Sequence, residues 1–227
     1  RVAAAKNAAL PLMAAALLTM VSGVVTAAAQ TDIRRILSFH IISQVGYMIL
    51  GLAVFTPLAL AAALIYMVHN IIAKATLFLV GGLIHRAAGS FHLSHIGNLY
   101  KTHGLLAVLF FIPAFALAGV PPLSGFWAKL LIIYACLESR HYGPAALAAA
   151  VGLLTLFSMV KIWMEAFWKP HPRNTLSPDE APPRNRSLSP WMLTPVICLC
   201  LVTVLMGLFI EPLLALSVAA GEQLMDP

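Results

Sequence analysis

Long apolar runs separated by short polar clusters divide the chain. Crossing a bilayer takes about 20 apolar residues at about 1.5 Å of rise each, and about seven segments come near that length. The first, Ala8 to Ala29, carries no charge. The second runs from Ile36 to Phe55 and stops before Pro57, which has no amide to continue the ladder. The third, Leu58 to His85, contains one cation, Lys74. The fourth runs from Gly104 to Gly119 and meets Val120-Pro121-Pro122-Leu123-Ser124-Gly125. Two prolines without donors, flanked by Gly119 and Gly125, break a regular helix there. The fifth, Ser124 to Leu137, carries Lys129. Both pieces are short, so two tilted spans and two parts of one interrupted unit are both open. The sixth runs from Pro144 to Trp168 and the seventh from Pro190 to about Ser217, with Glu211 near its end. No strand alternation or short repeat is visible. The expected fold class is all-α: a polytopic transmembrane helix bundle with a Pro-Pro-interrupted region.

The linkers agree. Gln30 to Arg35 is short and polar. Arg86 to His103 is long, and His85, His92, His95 and His103 lie in or beside it. Lys169 to Ser189 is rich in Pro, Arg and Ser, which predicts an extramembrane loop over 169–189. The main helical domain is then 8–168, with a C-terminal transmembrane helix and tail over 190–227. The chain starts at Arg1, has no signal-peptide architecture, and enters its first apolar run within a few residues. Residues 1–7 therefore read as the truncated end of a longer N-terminal part.

Composition settles the solvent. Hydrophobic residues make up 61% and charged residues 10%, against about 45–50% and about 25% in soluble domains. Net charge is +6, but no Lys/Arg run suggests nucleic acid. The cations flank apolar segments, as interfacial residues or as plain solvated helix ends. Trp127, Trp163, Trp168 and Trp191 mostly fall near predicted span ends, where interfacial aromatics sit. If all seven spans cross, Arg34, Arg35, Arg86, Lys101 and Arg140 face Arg1, Lys6, Lys169, Arg173, Arg184 and Arg186, too even a split to orient the chain. Cys136, Cys198 and Cys200 lie in apolar stretches without paired spacing and read as packing residues.

Candidate chemistry lies in the few ionisable groups inside the spans. A lysine near the centre of a membrane helix costs about 2.5–3.5 kcal/mol on insertion scales. Lys74 sits too deep in its span to reach the interface easily. Tyr66, Asn70 and Lys74 repeat every four residues on one face, and His69 lies one residue off it. Such a stripe faces a bundle interior or hydrated path, or else acts as a hydrogen-bonded pin between helices. Lys129 lies one turn inside the helix restarting after Pro121-Pro122, where exposed amides and burial both disfavour a cation. A lysine poised to lose and regain its proton suits a relay, although an interfacial lysine also fits if Ser124 marks the membrane edge. His40 is a relay member or a helix-end histidine bonded to backbone. Lys161 and Glu165, spaced i,i+4, suggest an ion pair, with a role in proton exit as the alternative. Glu211 is expected at the interface. The histidines of the long linker lack convergent zinc spacing, so no metal is expected, and no motif suggests a cofactor or an enzyme active site.

Three stretches carry a family resemblance: Asp32-Ile-Arg-Arg-Ile-Leu-Ser-Phe-His-Ile-Ile-Ser-Gln-Val-Gly-Tyr-Met-Ile-Leu-Gly51, His69-Asn-Ile-Ile-Ala-Lys-Ala-Thr-Leu-Phe-Leu79 and Leu117-Ala-Gly-Val-Pro-Pro-Leu-Ser-Gly-Phe-Trp-Ala-Lys129. They resemble the antiporter-like membrane subunits of Mrp-type Na+/H+ antiporters and of the complex I membrane arm. Ser158-Met-Val-Lys-Ile-Trp-Met-Glu-Ala-Phe-Trp168 looks most like the D-type member of the Mrp set. The resemblance covers residues 8 to 170. It implies a subunit of about fourteen helices with two inverted repeats of five, each similar to a proton half-channel with a discontinuous helix. This chain would hold the second half. By motif match, Lys74 resembles the central relay lysine, and Lys129 the lysine or glutamate of the second discontinuous helix. The position before Lys74 that is often His in relatives is Asn70 here. The family's paired Glu and Lys of the first repeat have no counterpart, and Lys6 is not in the right context. The resemblance implies a bacterial inner-membrane assembly with other subunits as partners, moving protons against Na+ or another monovalent cation. A proton-pumping subunit of complex I or a related hydrogenase is the alternative, and a non-conducting structural subunit a third.

Overall fold

The computed structural model describes residues 2–170 and 188–225, with side chains from residue 9 onward. Among these, the helices are α1 (Val2–Ala29), α2 (Ile33–Val54), α3 (Pro57–Ala88), α4 (Leu99–Thr102), α5 (Gly104–Ala118), α6 (Ser124–Glu138), α7 (Tyr142–Trp163), α8 (Pro190–Leu208) and α9 (Glu211–Met225). A 3-10 turn occupies Leu93–His95, and a π-turn over Met164–Trp168 extends α7. Among the described residues the sole β-pairing is an isolated bridge between Asp32 and His92. The extramembrane loop expected over 169–189 falls mostly on 171–187, outside the described residues.

Local chemistry sets the helix ends. The Asp32 carboxylate caps α2, accepting from the amides of Arg34 at 2.9 Å and Arg35 at 3.3 Å. Burial works to raise its pKa, but those amides and the Arg34 guanidinium outweigh it and hold Asp32 below its ordinary 3.8. Thr56 caps α3 through the Ala59 amide at 3.1 Å, and Pro57 occupies the first turn, where its missing N–H is no loss. Pro57 therefore opens α3 as well as following α2. Gly89, at φ 79°, closes α3.

The core lies in two apolar layers along the helix axes. One gathers Ile33–Leu37 of α2, the Leu77–Ala88 half of α3, Leu106–Leu117 of α5, Met159 and Ile162 of α7, and Val196 and Cys200 of α8. The other gathers Met13–Val24 of α1, Tyr47–Ala53 of α2, Ala62–Tyr66 of α3, Ala128–Cys136 of α6 and Ala145–Val151 of α7. Helices α2, α3 and α7 run through both layers; α5 belongs only to the first and α6 only to the second. At 1.5 Å per residue each is about 22 Å long, too short for a hydrocarbon core of about 30 Å. They are therefore the two parts of one interrupted span, and the two-tilted-spans reading falls. Trp127, expected near a span end, consequently sits deep in the bundle and donates to the Gly207 carbonyl at 2.9 Å.

The seventh predicted span is also divided. α8 stops at Leu208 and α9 restarts at Glu211. Pro212 explains the break: it has no amide for the Leu208 carbonyl, and its ring clashes with that carbonyl in a continuous helix. A Cβ on Gly207 would overlap the Pro122 carbonyl oxygen, so the two chain breaks touch. α9 then packs beside the start of α3, with Gly221 against Pro57. Among the described residues, α1, α2, α3, α7 with its π-turn, and α8 are each long and apolar enough to cross a bilayer, and α5–α6 together supply a sixth such length. Of the cysteines, Cys136 and Cys200 are buried packing residues, but Cys198 is exposed on α8, contrary to expectation.

Candidate functional site

Between the two apolar layers lie most of the buried polar side chains. α2 contributes His40, Ser43 and Gln44; α3 contributes His69, Asn70 and Lys74; the restart of α6 contributes Ser124 and Lys129; α7 contributes Thr155 and Ser158. Each set falls where its helix passes from one layer to the other, so together they form a belt at mid-height.

Both lysines are 6% exposed. Lys74 Nζ donates to the Leu37 carbonyl at 3.0 Å, bridging α3 to α2. Lys129 Nζ donates to the carbonyls of Leu117 at 2.8 Å and Ala118 at 2.9 Å. Those oxygens end α5 and have no intrahelical partner, so they form the negative end of its dipole. The expectation that Lys129 faces only the unfavourable amide end of its own helix is corrected here. Its four-carbon stem turns back across the break and reaches carbonyls that favour a cation. Ser124 is 1% exposed, so in the described bundle it does not form an open edge. No carboxylate meets either lysine among the described residues, where the ion pairs are Arg34–Asp32 and Lys169–Glu165.

An aromatic and amide seam runs from one lysine toward the other. Lys129 Nζ stands 5.4 Å from the Tyr47 ring centroid. Tyr47 stacks on Tyr66 at 5.1 Å, and its hydroxyl donates to the Ala148 carbonyl at 2.5 Å. The Tyr66 hydroxyl donates to Gln44 Oε1. His69 Nδ1 shares a 2.8 Å hydrogen bond with Ser124 Oγ, so it joins the site directly instead of through water. Five buried polar atoms along this seam have unused hydrogen-bonding capacity: both ring nitrogens of His40, Gln44 Nε2, His69 Nε2 and Asn70 Oδ1. Buried polar atoms are overwhelmingly paired in folded proteins, so five together mark a place built for more than packing. A cleft of about 240 Å³, lined by Gly119, Phe126, Lys129, Ala148 and Gly152 among others, reaches Lys129 between α6 and α7.

The glycines of the break have distinct tasks. Gly119 has φ 90°, and a Cβ there would lie 2.9 Å from Lys129 Cδ. A Cβ on Gly125 would overlap the Ala116 carbonyl oxygen and lie 2.7 Å from His69 Nε2. Gly125 therefore serves close approach rather than bending.

The predicted Lys161–Glu165 pair does not form. Lys161 Nζ donates to the carbonyls of Ala28 and Gln30, each at 2.9 Å, at the end of α1. Glu165 pairs with Lys169 at 2.9 Å. The π-turn changes the angular spacing after Trp163, separating Lys161 from Glu165. The linker histidines have local partners: His85 stacks on Phe91 at 4.1 Å, and His92 bonds Thr31 and Ser94. Sequence reasoning singled out His40, Tyr66, His69, Asn70 and both lysines, and missed Gln44, Tyr47 and Ser124. The signal for the first two was present: His40, Gln44 and Tyr47, spaced i, i+4 and i+7, form a stripe facing that of α3.

The family model described as NADH:quinone oxidoreductase/Mrp antiporter, TM matches residues 2–158. A relative from Alkalihalophilus pseudofirmus, named as the D component of a Na(+)/H(+) antiporter, is 46% identical over 92% of this chain and 41% of its own length. Its namesake from Bacillus subtilis is 32% identical over 93% of this chain and 42% of its own. The chain therefore spans about two fifths of the length of these curated relatives. A chain in the structure of an Mrp complex from Dietzia sp. DQ12-45-1b matches at TM-score 0.89 and 34% identity, over 98% of this chain and 48% of that one. A chain of respiratory complex I from Thermus thermophilus with bound NADH matches at TM-score 0.82 and 22% identity, over 99% and 46%, a likeness of fold alone.

Proposed function

This chain belongs to the NADH:quinone oxidoreductase/Mrp antiporter transmembrane family, and we propose that it conducts protons in a monovalent cation/proton antiporter of the bacterial inner membrane. It would act as the second half of a protein like the D component of such antiporters, beside other subunits. Residues 8–168 carry the conducting bundle, 169–189 an extramembrane connection, and 190–227 the final crossing and tail. The single observation that carries the reading is the pair of lysines, each 6% exposed and held by backbone carbonyls with no carboxylate against them among the described residues, in a buried polar belt that also holds unused polar atoms. A pin between helices needs donors but not spare acceptors; a path for protons needs both.

In this mechanism, water in the belt links Lys129 to Lys74 past Tyr47, Tyr66, Gln44 and His40. A protonated lysine gives its proton to that water, and the neutral amine then accepts one from the other side. Charge on one lysine weakens the other's hold on its proton, which drives the proton onward. Asn70 has no proton to give at neutral pH, so it positions water through Oδ1. The antiporter reading is preferred to a respiratory one because, among solved structures, the sequence likeness is stronger to the Mrp chain, 34% against 24% and 22% identity for the complex I chains.

The test uses the complete complex in everted membrane vesicles. Lys74→Ala and Lys129→Ala are each expected to reduce cation-dependent proton flux about a hundredfold, the lower range for a positioned proton-transfer group, while subunit assembly persists. Near-normal flux in both variants sinks the proposal.

A further inference from the structure

At several glycines of the bundle a side chain does not fit: a Cβ would overlap neighbouring backbone at Gly23, Gly125, Gly207 and Gly221. Gly152 is different. It lies in the middle of α7, where glycine weakens a helix relative to alanine. Yet a Cβ there would meet its neighbours only at ordinary contact distances. Those neighbours are two side chains of the site. The three nearest atoms are Tyr47 Oη at 3.7 Å, Lys129 Nζ at 3.8 Å and Lys129 Cδ at 4.0 Å. Gly152 also lines the cleft of about 240 Å³ that reaches Lys129.

Both polar atoms have hydrogen-bonding capacity to spare. An ammonium has three N–H donors, and among the described residues Lys129 uses two, on the Leu117 and Ala118 carbonyls. Tyr47 Oη donates to the Ala148 carbonyl and keeps its lone pairs. Among the described residues no hydrogen bond joins Lys129 to Tyr47 directly. A buried water needs at least two polar partners and a share of about 30 Å³. Beside Gly152 there are a donor, an acceptor and room. We propose that Gly152 forms a water-binding site joining the Lys129 ammonium to the Tyr47 hydroxyl, which makes it a positioning residue for proton transfer between Lys129 and the seam. An alanine methyl would take up that room without straining the fold. The proposal rests on the reading that Lys129 conducts protons.

The test measures cation-driven proton flux in everted vesicles carrying the complete complex. Gly152→Ala is expected to lower flux about tenfold, the worth of one hydrogen bond expressed as a rate. Its thermal inactivation temperature should be unchanged or raised, since alanine favours the helix. Gly152→Ser, which brings a hydroxyl to the same place, should restore flux to within about twofold of the parent, as a direct hydrogen bond replaces one through water. Tyr47→Phe removes the other end of the link, so Gly152→Ala should lower flux no further in that background. Parental flux in Gly152→Ala overturns the proposal. So does Gly152→Ser no better than Gly152→Ala, the result expected if lipid fills the cleft. Additive losses in the double variant overturn it too, as does a fall in thermal stability shared by both Gly152 variants, which marks a packing role. Lys129→Ala is measured in parallel. If it keeps flux, conduction through Lys129 fails; if it loses flux and Gly152→Ala does not, only the water site fails.

Discussion

At the level of single residues, the site depends on what each side chain can donate or accept. Asn70 and His69 show the division. His69 is committed to Ser124 through Nδ1 and keeps Nε2 free, while Asn70 holds its buried Oδ1 acceptor without a partner. If Asn70 positions water beside Lys74, Asn70→His supplies an ionisable group at the same place. Vesicle flux in that variant should be retained or mildly raised; complete loss, with assembly intact, contradicts the placement. Gly125 makes a sharper demand. An added methyl there runs into the Ala116 carbonyl oxygen, backbone that cannot rotate away. Gly125→Ala should destabilise the complex by about 1–3 kcal/mol, the usual range for overpacking, visible as a lower thermal inactivation temperature in detergent. Gly82, with nothing near its added Cβ, is the matched control and should tolerate alanine. The lysines and their stripe were legible in the sequence because charge inside an apolar run is conspicuous. Gln44 and Tyr47 continue the His40 stripe but are neutral, and they went unread because neutral polar residues stand out little in an apolar run; Ser124 becomes part of a site only once His69 of the facing helix is placed against it.

At the level of elements, caps and breaks decide where the helices begin and end. Asp32 caps α2 with a carboxylate that burial pushes up, yet the Arg35 and Arg34 amides and the Arg34 guanidinium hold it below its ordinary 3.8. A group with a depressed folded-state pKa stabilises the fold above its unfolded value and loses that contribution as pH falls through the folded one. The cap should therefore be fully present at neutral pH and lost only below about pH 4. Asp32→Ala should cost about 1 kcal/mol at pH 7, and the gap between variant and parent in thermal unfolding should close as the pH is lowered toward about 3. A gap that stays constant with pH contradicts the cap's ionic character. The Pro121-Pro122 break was readable because two prolines in an apolar run cannot remain helical. The α8–α9 break rests on one residue, Pro212, whose effect falls four residues upstream at Leu208, and the apolar run across it hid the interruption. The π-turn after Trp163 has no comparable mark in the sequence, which is why Lys161 and Glu165 were paired on ordinary helical spacing.

At the level of the whole molecule, counting crossings changes what the charges say. Joining α5 to α6 turns seven spans into six and moves Arg140 to the opposite side from Arg34, Arg35, Arg86 and Lys101, while α7 ends at Lys169 on their side. Among the described side chains, five terminal cations then stand at the end that holds the histidine linker, and one at the other. The even split read from sequence came from treating the broken span as two. Cytoplasmic ends carry the excess of Lys and Arg, so the histidine-linker end should face the cytoplasm. A cysteine at Ser94 in intact cells should resist a membrane-impermeant thiol reagent and react in everted vesicles; one at Ser139 should do the reverse. The opposite pattern reverses the orientation.

The central claim is that Lys74 and Lys129 carry protons rather than merely pinning helices, and an amide in place of the amine separates the two. Glutamine still donates to a carbonyl but does not titrate. The direct measurement is the initial rate of cation-driven proton flux in proteoliposomes holding the purified complex with Lys74→Gln and Lys129→Gln together. The expected result is an assembled, folded complex with flux at the level of empty liposomes; flux near that of the unaltered complex would mean that the lysines only hold the bundle together.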